Sequence, residues 1–86
     1  MNSREALVFE AVERFDYVLY ALEQYLERGN EKILVQVLRN RVPRLDRLAS
    51  CLNDFGKLIW TEKISDWARD FIKAREGQWI EQKGEV

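Results

Sequence analysis

The chain of 86 residues contains no histidine, one cysteine and one proline. Histidine is the side chain most often used in general acid–base catalysis and is a common metal ligand, so its absence argues against both kinds of site. The single cysteine, Cys51, cannot form a disulfide within the chain, which fits a reducing, cytoplasmic environment. With no histidine to activate it, we interpret Cys51 as a packing residue and not as a nucleophile.

Long hydrophobic segments are also missing. The longest apolar run, Tyr17–Leu22, is far shorter than the ~20 residues that a helix needs to cross a bilayer. The amino terminus has no basic segment followed by an apolar one, so no secretory signal is expected. No segment combines a lysine-rich face with a strongly apolar one, so we expect no binding to a membrane surface. Together these absences predict a soluble, cytoplasmic protein.

The composition favours one folded domain. Hydrophobic residues make up 47% of the chain, and the 34% of charged residues are balanced to a net charge of −1, so disorder is not expected. A chain of this length is ordinarily a single domain. We assign residues 1–80 to one helical domain and residues 81–86 to a frayed tail.

One pattern dominates what is present: apolar residues recur every three or four positions from Val8 to Phe71. This spacing is typical of amphipathic helices and predicts an all-α fold, a small antiparallel bundle of three to four helices. The first helix should run from Ser3 to Arg28, with Asn2 as its cap and Gly29–Asn30 at its end. Its core face should consist of Val8, Ala11, Val12, Phe15, Val18, Leu19, Leu22, Tyr25 and Leu26.

Pro43 predicts a break in the middle of the chain, because proline lacks a backbone donor and disfavours helical geometry at the preceding residue. The second helix should therefore span residues 31–41, and a third should begin at Pro43 and end near Trp60. Thr61 or Ser65 should cap a fourth helix that stops at Gly77. The inward residues of these helices should be Ile33, Leu34, Val37, Leu38, Leu45, Leu48, Ala49, Leu52, Phe55, Ile59, Ile64, Trp67, Ala68 and Phe71. Asp46 should lie on the outer face, and Trp79 and Ile80 should form an apolar hook in the tail.

Carboxylates offer the only candidate for metal chemistry. Glu10, Glu13 and Asp16 recur every three residues, but Glu10 and Asp16 lie about 120° apart on a helix and do not converge on one ion. A solvated acidic face explains the spacing better. We predict no metal, no cofactor and no enzymatic activity.

Four arginines within nine residues form a basic segment: Arg39, Arg41, Arg44 and Arg47. Arginine suits bidentate recognition of phosphate or carboxylate groups, so the segment is compatible with nucleic-acid binding. However, nucleic-acid-binding domains are usually basic, and this chain is slightly acidic overall. The alternative is that the arginines pair with the acidic first helix, within one chain or across a dimer.

Three aromatic residues, Phe9, Tyr17 and Tyr20, fall on the side of the first helix away from its core face. A bundle that wraps the helix from two sides would bury them, whereas an interface would leave them exposed in the free chain. We predict a non-enzymatic interaction module, such as an adaptor, regulatory subunit or inhibitor. Its partner is another protein or a second copy in a homodimer, bound through these aromatics and the four arginines. The alternative is a nucleic-acid-binding regulator that uses residues 39–47.

Overall fold

The computed structural model describes residues 3–75, which form four helices. These are α1 (Ser3–Arg28), α2 (Glu31–Cys51), α3 (Asn53–Leu58) and α4 (Glu62–Ala74). Within the described range the fold is all-α and bundled, as the apolar periodicity predicts. The expected cap at Asn2, the stop at Gly77 and the hook at Trp79 and Ile80 lie outside the described residues.

A tight turn joins α1 to α2. Gly29 adopts a left-handed conformation (φ 69°), as predicted, and its N–H donates to the Tyr25 carbonyl over 2.9 Å. Asn30 is not left-handed: it caps α2, and its side chain accepts a hydrogen bond from the Ile33 N–H. The turn reverses the chain, so α1 and α2 pack side by side along their length.

The predicted break at Pro43 is wrong. Helix α2 continues through Pro43 and ends at Cys51, where Leu52 takes an extended conformation. Pro43 is exposed, so water can solvate the carbonyl of Arg39 that loses its donor. Val42 and Leu45, on either side, are buried in the core, and this packing outweighs the local preference of proline.

Helix α3 is a single short element between Leu52 and the Trp60 region. Gly56 lies inside it and allows close contact with α2, because a Cβ atom there would lie 2.5 Å from the Ala49 carbonyl oxygen. Of the two predicted caps of α4, Thr61 is the one used: its hydroxyl accepts a hydrogen bond from the Ile64 N–H.

The core lies along α2, which packs against each of the other three helices. Several predicted core residues are instead exposed: Val8, Val12, Leu19, Leu26, Ile59 and Trp67. Four hydrophobic residues omitted from the predicted core are buried: Ala21, Val35, Val42 and Trp60. Compared with the predicted core face, α1 is therefore rotated about its own axis. Small residues such as Ala11 and Ala21 face the bundle, where they allow the helices to approach closely.

Asp46 does not lie on the outer face as predicted. Its carboxylate accepts hydrogen bonds from the Trp60 indole N–H over 2.8 Å and from the Ser65 hydroxyl over 2.7 Å, and it pairs with Arg69. Partial burial disfavours its charge, but these donors and Arg69 outweigh burial and lower the pKa of Asp46. Asp46 thus fastens α4 and the α3–α4 connection to α2.

Candidate partner-binding surface

The four predicted arginines do not form one site, because they point in different directions around α2. Arg41 and Arg44 face α1. Arg39 lies on the opposite side, in a cleft that also contains Arg69 and Lys73 of α4. Arg47 is exposed to solvent. At about 100° per residue, Arg39 and Arg41 point to opposite sides of the helix, whereas Arg41, Arg44 and Arg47 spread over about 120°.

Arg44 is engaged by α1. Its guanidinium donates to both carboxylate oxygens of Glu10, over 2.7 and 2.8 Å, and Arg14 donates to one of the same oxygens over 2.7 Å. Hydrogen bonds from Arg44 and then Arg14 lower the pKa of Glu10 to about 2. For Arg44, the predicted pairing with acidic helix one therefore occurs within the chain. Glu10 is occupied by arginines, so it does not act with Glu13 and Asp16 as a group of carboxylates.

The predicted aromatic residues are exposed in the single chain: Phe9 by 60%, Tyr17 by 45% and Tyr20 by 48%. Tyr17 and Tyr20 make an edge-to-face contact with ring centroids 5.8 Å apart. The Arg41 guanidinium lies 4.2 Å from the centroid of the Tyr17 ring, at cation–π distance. The bundle thus leaves the aromatics accessible, and it brings Arg41 onto them from α2.

A second apolar surface lies on α1, at positions where the apolar periodicity predicts core residues. Val8, Val12, Leu19 and Leu26 are exposed by 42, 49, 45 and 72%, and we call these four residues the outer stripe. Their spacing of four and seven residues places them in one row along the helix, over about 27 Å. Phe9 lies three residues before Val12 and borders the same row.

One end of the outer stripe opens into a groove between α1 and α3, the α1–α3 groove, with a volume of about 280 Å³. Its α1 wall is formed by Val8, Ala11 and Val12. The opposite wall and floor consist of Leu52, Phe55, Leu58 and Ile59, and the charged residues Arg4 and Asp54 line its edges. Leu58 is 78% exposed, so the groove extends the apolar surface beyond α1.

Sequence reasoning missed this surface because it assigned the whole apolar arc of α1 to the core. The signal was the width of that arc, which runs from Ala11 and Val18 round to Val12. One neighbouring helix row covers only part of such an arc. The structure buries the Ala11–Val18 side and leaves the Val12 side open.

Groups suited to chemistry are sparse in the described part of the chain. No cluster of three potential metal ligands occurs among residues 3–75. Cys51 is an exposed free thiol, not the packing residue expected from the sequence. None of the helices described is both long and apolar enough to cross a bilayer.

Comparison with known proteins gives no assignment: no family model, no curated protein and no solved structure matches this chain.

Proposed function

We propose that the chain is a non-enzymatic protein–protein interaction module that binds its partner through the outer stripe and the α1–α3 groove. The observation that supports this is the row formed by Val8, Val12, Leu19 and Leu26, which stays exposed along α1. Single exposed apolar side chains are ordinary on soluble proteins, but four of them on one line of a helix, beside an apolar groove, are typical of an interaction site. The adaptor, regulatory-subunit and inhibitor roles all fit this proposal.

The aromatic side chains predicted to make contact divide between two surfaces. Phe9 borders the outer stripe, whereas Tyr17 and Tyr20 belong with Arg41 to a smaller surface on the α1–α2 side. Aromatic residues and arginine are enriched at the centres of protein interfaces. We therefore keep the α1–α2 surface as the proposed site of self-association, the homodimer expected from the sequence.

The double substitution Val12→Gln with Leu19→Gln tests whether the outer stripe contacts the partner. Both side chains are about half-exposed, and glutamine is a good helix former, so the variant should fold with nearly unchanged circular dichroism and thermal stability. The tagged wild-type chain should capture a defined partner from an extract of the source cells, and the variant should lose that partner. Tyr20→Gln, on the other surface, is the matched control and should retain it.

Self-association has its own test in light scattering after size exclusion. If the wild-type chain is a dimer and Tyr20→Gln dissociates it, the homodimer forms at the α1–α2 surface.

The capture experiment can also contradict the proposed site. If Val12→Gln with Leu19→Gln captures the same proteins in the same amounts as wild type, the outer stripe is not the contact surface and the proposed site is wrong.

Nucleic-acid binding through Arg39–Arg47 is the alternative prediction. Since Arg44 and Arg41 contact α1 and the other two point elsewhere, the four arginines offer no continuous track for a phosphate backbone. Binding of a labelled duplex that falls steeply as salt rises, and that Arg39→Glu with Arg47→Glu abolishes, would support this alternative.

A further inference from the structure

The open edge of the outer stripe is acidic. Asp16 follows Val12 by four residues and precedes Leu19 by three, and Glu23 has the same relation to Leu19 and Leu26. Residues three and four apart are neighbours on a helix surface, so both carboxylates lie directly beside the apolar row. Both side chains are exposed. Any segment that covers the outer stripe must therefore approach two carboxylates.

The acidic character extends along α1 from Glu5 to Glu27, between the exposed Arg4 and Arg28 at the two ends of the helix. Arg14, the one base between Glu5 and Glu27, is half-buried and paired with Glu10. The exposed charged side chains in that stretch are all carboxylates: Glu5, Glu13, Asp16, Glu23 and Glu27. At the groove, Arg4 and Asp54 offset each other. Of the exposed carboxylates, Asp16 and Glu23 border the apolar row and give its edge a net negative charge, whereas Glu13 lies about 120° round the helix from Leu19.

A second copy of this chain is a poor match for such an edge. A two-fold symmetric contact brings identical patches together, so α1 packed antiparallel on α1 of another copy would set Asp16 near its own equivalent. Like charges at facing positions of paired helices are destabilising. The charge pattern favours a partner of opposite sign.

We propose that the outer stripe and the α1–α3 groove bind a basic amphipathic helix of another protein. Its apolar side chains would cover Val8, Val12 and Leu19, one of them entering the groove, and its flanking lysine or arginine residues would pair with Asp16 and Glu23. An apolar helix face in a hydrophobic groove is an established mode of recognition, in which the flanking charges supply specificity. This inference rests on the function proposed above and adds the chemical class of the partner.

The test uses the full ¹⁵N-labelled chain and three synthetic helical peptides of about 18 residues, long enough to cover the stripe. The peptides share one leucine face and carry lysine, glutamine or glutamate on the polar face. The lysine peptide should shift the amide resonances of Val8, Val12 and Leu19. It should bind about tenfold more tightly than the glutamate peptide at low salt, and this difference should shrink when the salt is raised to about 0.5 M.

Two variants separate charge from apolar contact. Asp16→Asn with Glu23→Gln should reduce the preference for the lysine peptide about fivefold and leave binding of the glutamine peptide unchanged. Glu13→Gln with Glu62→Gln removes the same number of charges away from the stripe, and this matched control should keep the preference. Val12→Gln with Leu19→Gln should weaken binding of all three peptides.

Each outcome decides a different point. Equal binding of the three peptides at the outer stripe would overturn the basic partner but leave the interaction module standing. If the wild-type chain is a dimer and the double substitution Val12→Gln with Leu19→Gln dissociates it, the outer stripe is covered by a second copy. The proposal of a basic helical partner would then be wrong. If the wild-type chain is monomeric and none of the three peptides shifts its amide resonances, both the basic partner and the proposed docking site are wrong.

Discussion

At the scale of single residues, Glu10 is the clearest case of a side chain defined by its surroundings. It accepts hydrogen bonds from Arg44 across the α1–α2 interface and from Arg14 one turn along its own helix. The ordinary pKa of 4.5 falls to about 2, so the carboxyl ionises more readily in the folded chain than in the unfolded one. A group with a lowered pKa stabilises the fold above its ordinary pKa, and the contribution disappears as the pH falls to the lowered value.

Glu10→Gln should therefore destabilise the chain in a pH-dependent way. We expect a loss of about 1 kcal/mol in the free energy of unfolding at neutral pH, the upper range for partly exposed ion pairs. The difference from wild type should narrow below the ordinary pKa and vanish only below about pH 2, because the wild-type carboxyl is half protonated at that pH. Urea denaturation followed by circular dichroism at several pH values measures this. Glu13→Gln, on the exposed face, is the control, and a gap that stays constant with pH would contradict the prediction.

At the scale of the helices, α2 contains a proline where a helix end is expected. The rule against proline is local, and the apolar residues on both sides of Pro43 form one continuous buried row that includes Leu38, Val42 and Leu45. Packing of that row keeps the segment helical, although the hydrogen bond to the carbonyl of Arg39 is missing. Pro43 also lines the cleft that contains Ile72 of α4.

Pro43→Ala should accordingly stabilise the fold. Alanine restores the backbone donor and is the best helix former, so we expect a gain of about 1–3 kcal/mol in the free energy of unfolding. Thermal and urea denaturation of the two chains would measure it. Gln36→Ala, at another exposed position of the same helix, should change stability by only a few tenths of a kcal/mol. A less stable Pro43→Ala chain would mean that the proline ring's contacts in the cleft outweigh the missing hydrogen bond.

The extent of α1 and the start of α4 were predictable from the sequence, and the reason is physical. The C-terminal end of α1 follows from Gly29, whose left-handed conformation stops a helix, and the start of α4 follows from Thr61 as a cap. The boundary between α2 and α3 was not predictable, because Leu52 carries no turn chemistry and its extended conformation is set by packing. Helix ends are thus predictable where the backbone requires a particular residue type, such as the glycine at position 29 or the capping hydroxyl at Thr61.

At the scale of the whole molecule, contacts that join distant parts of the chain decide how the helices sit. Asp46 of α2 binds Trp60, Ser65 and Arg69, which lie before, within and further along α4. Trp60 is only 1% exposed, so its indole N–H has no water to replace this acceptor. The sequence predicts a solvated Asp46 because the residue lies on the polar side of its own helix. Its donors, Trp60, Ser65 and Arg69, come from a distant part of the chain and are not visible in the local pattern.

Asp46→Ala should be strongly destabilising for this reason. It leaves the buried Trp60 donor without an acceptor, so we expect a loss of about 1–3 kcal/mol in the free energy of unfolding, to which the exposed Arg69 adds little. Urea denaturation measures the loss, and a change in tryptophan emission would report the altered environment of Trp60. Asp66→Ala, at an exposed position of α4, should cost under about 0.5 kcal/mol. A similar small cost for Asp46→Ala would show that the network does not hold α4 in place.

The candidate surface illustrates what a single sequence leaves out. The exposure of Phe9, Tyr17 and Tyr20 follows from helical periodicity on one segment, whereas the α1–α3 groove depends on how α1 is rotated against α2 and α3. That rotation is set by small residues such as Ala11 and Ala21, which look unremarkable beside leucines and valines. Periodicity identifies an apolar row but not the neighbour that covers it.

The Gly29–Asn30 turn has a consequence for how the chain finds its fold. Only two residues separate α1 from α2, so closing this hairpin costs less chain entropy than bringing α4 onto α2 through a longer loop. A Cβ atom at Gly29 would meet no other atom within 4 Å, so the cost of an alanine there is confined to the positive φ of the turn. The reversal of direction that aligns the two longest helices thus depends on the conformational freedom of one residue without a side chain.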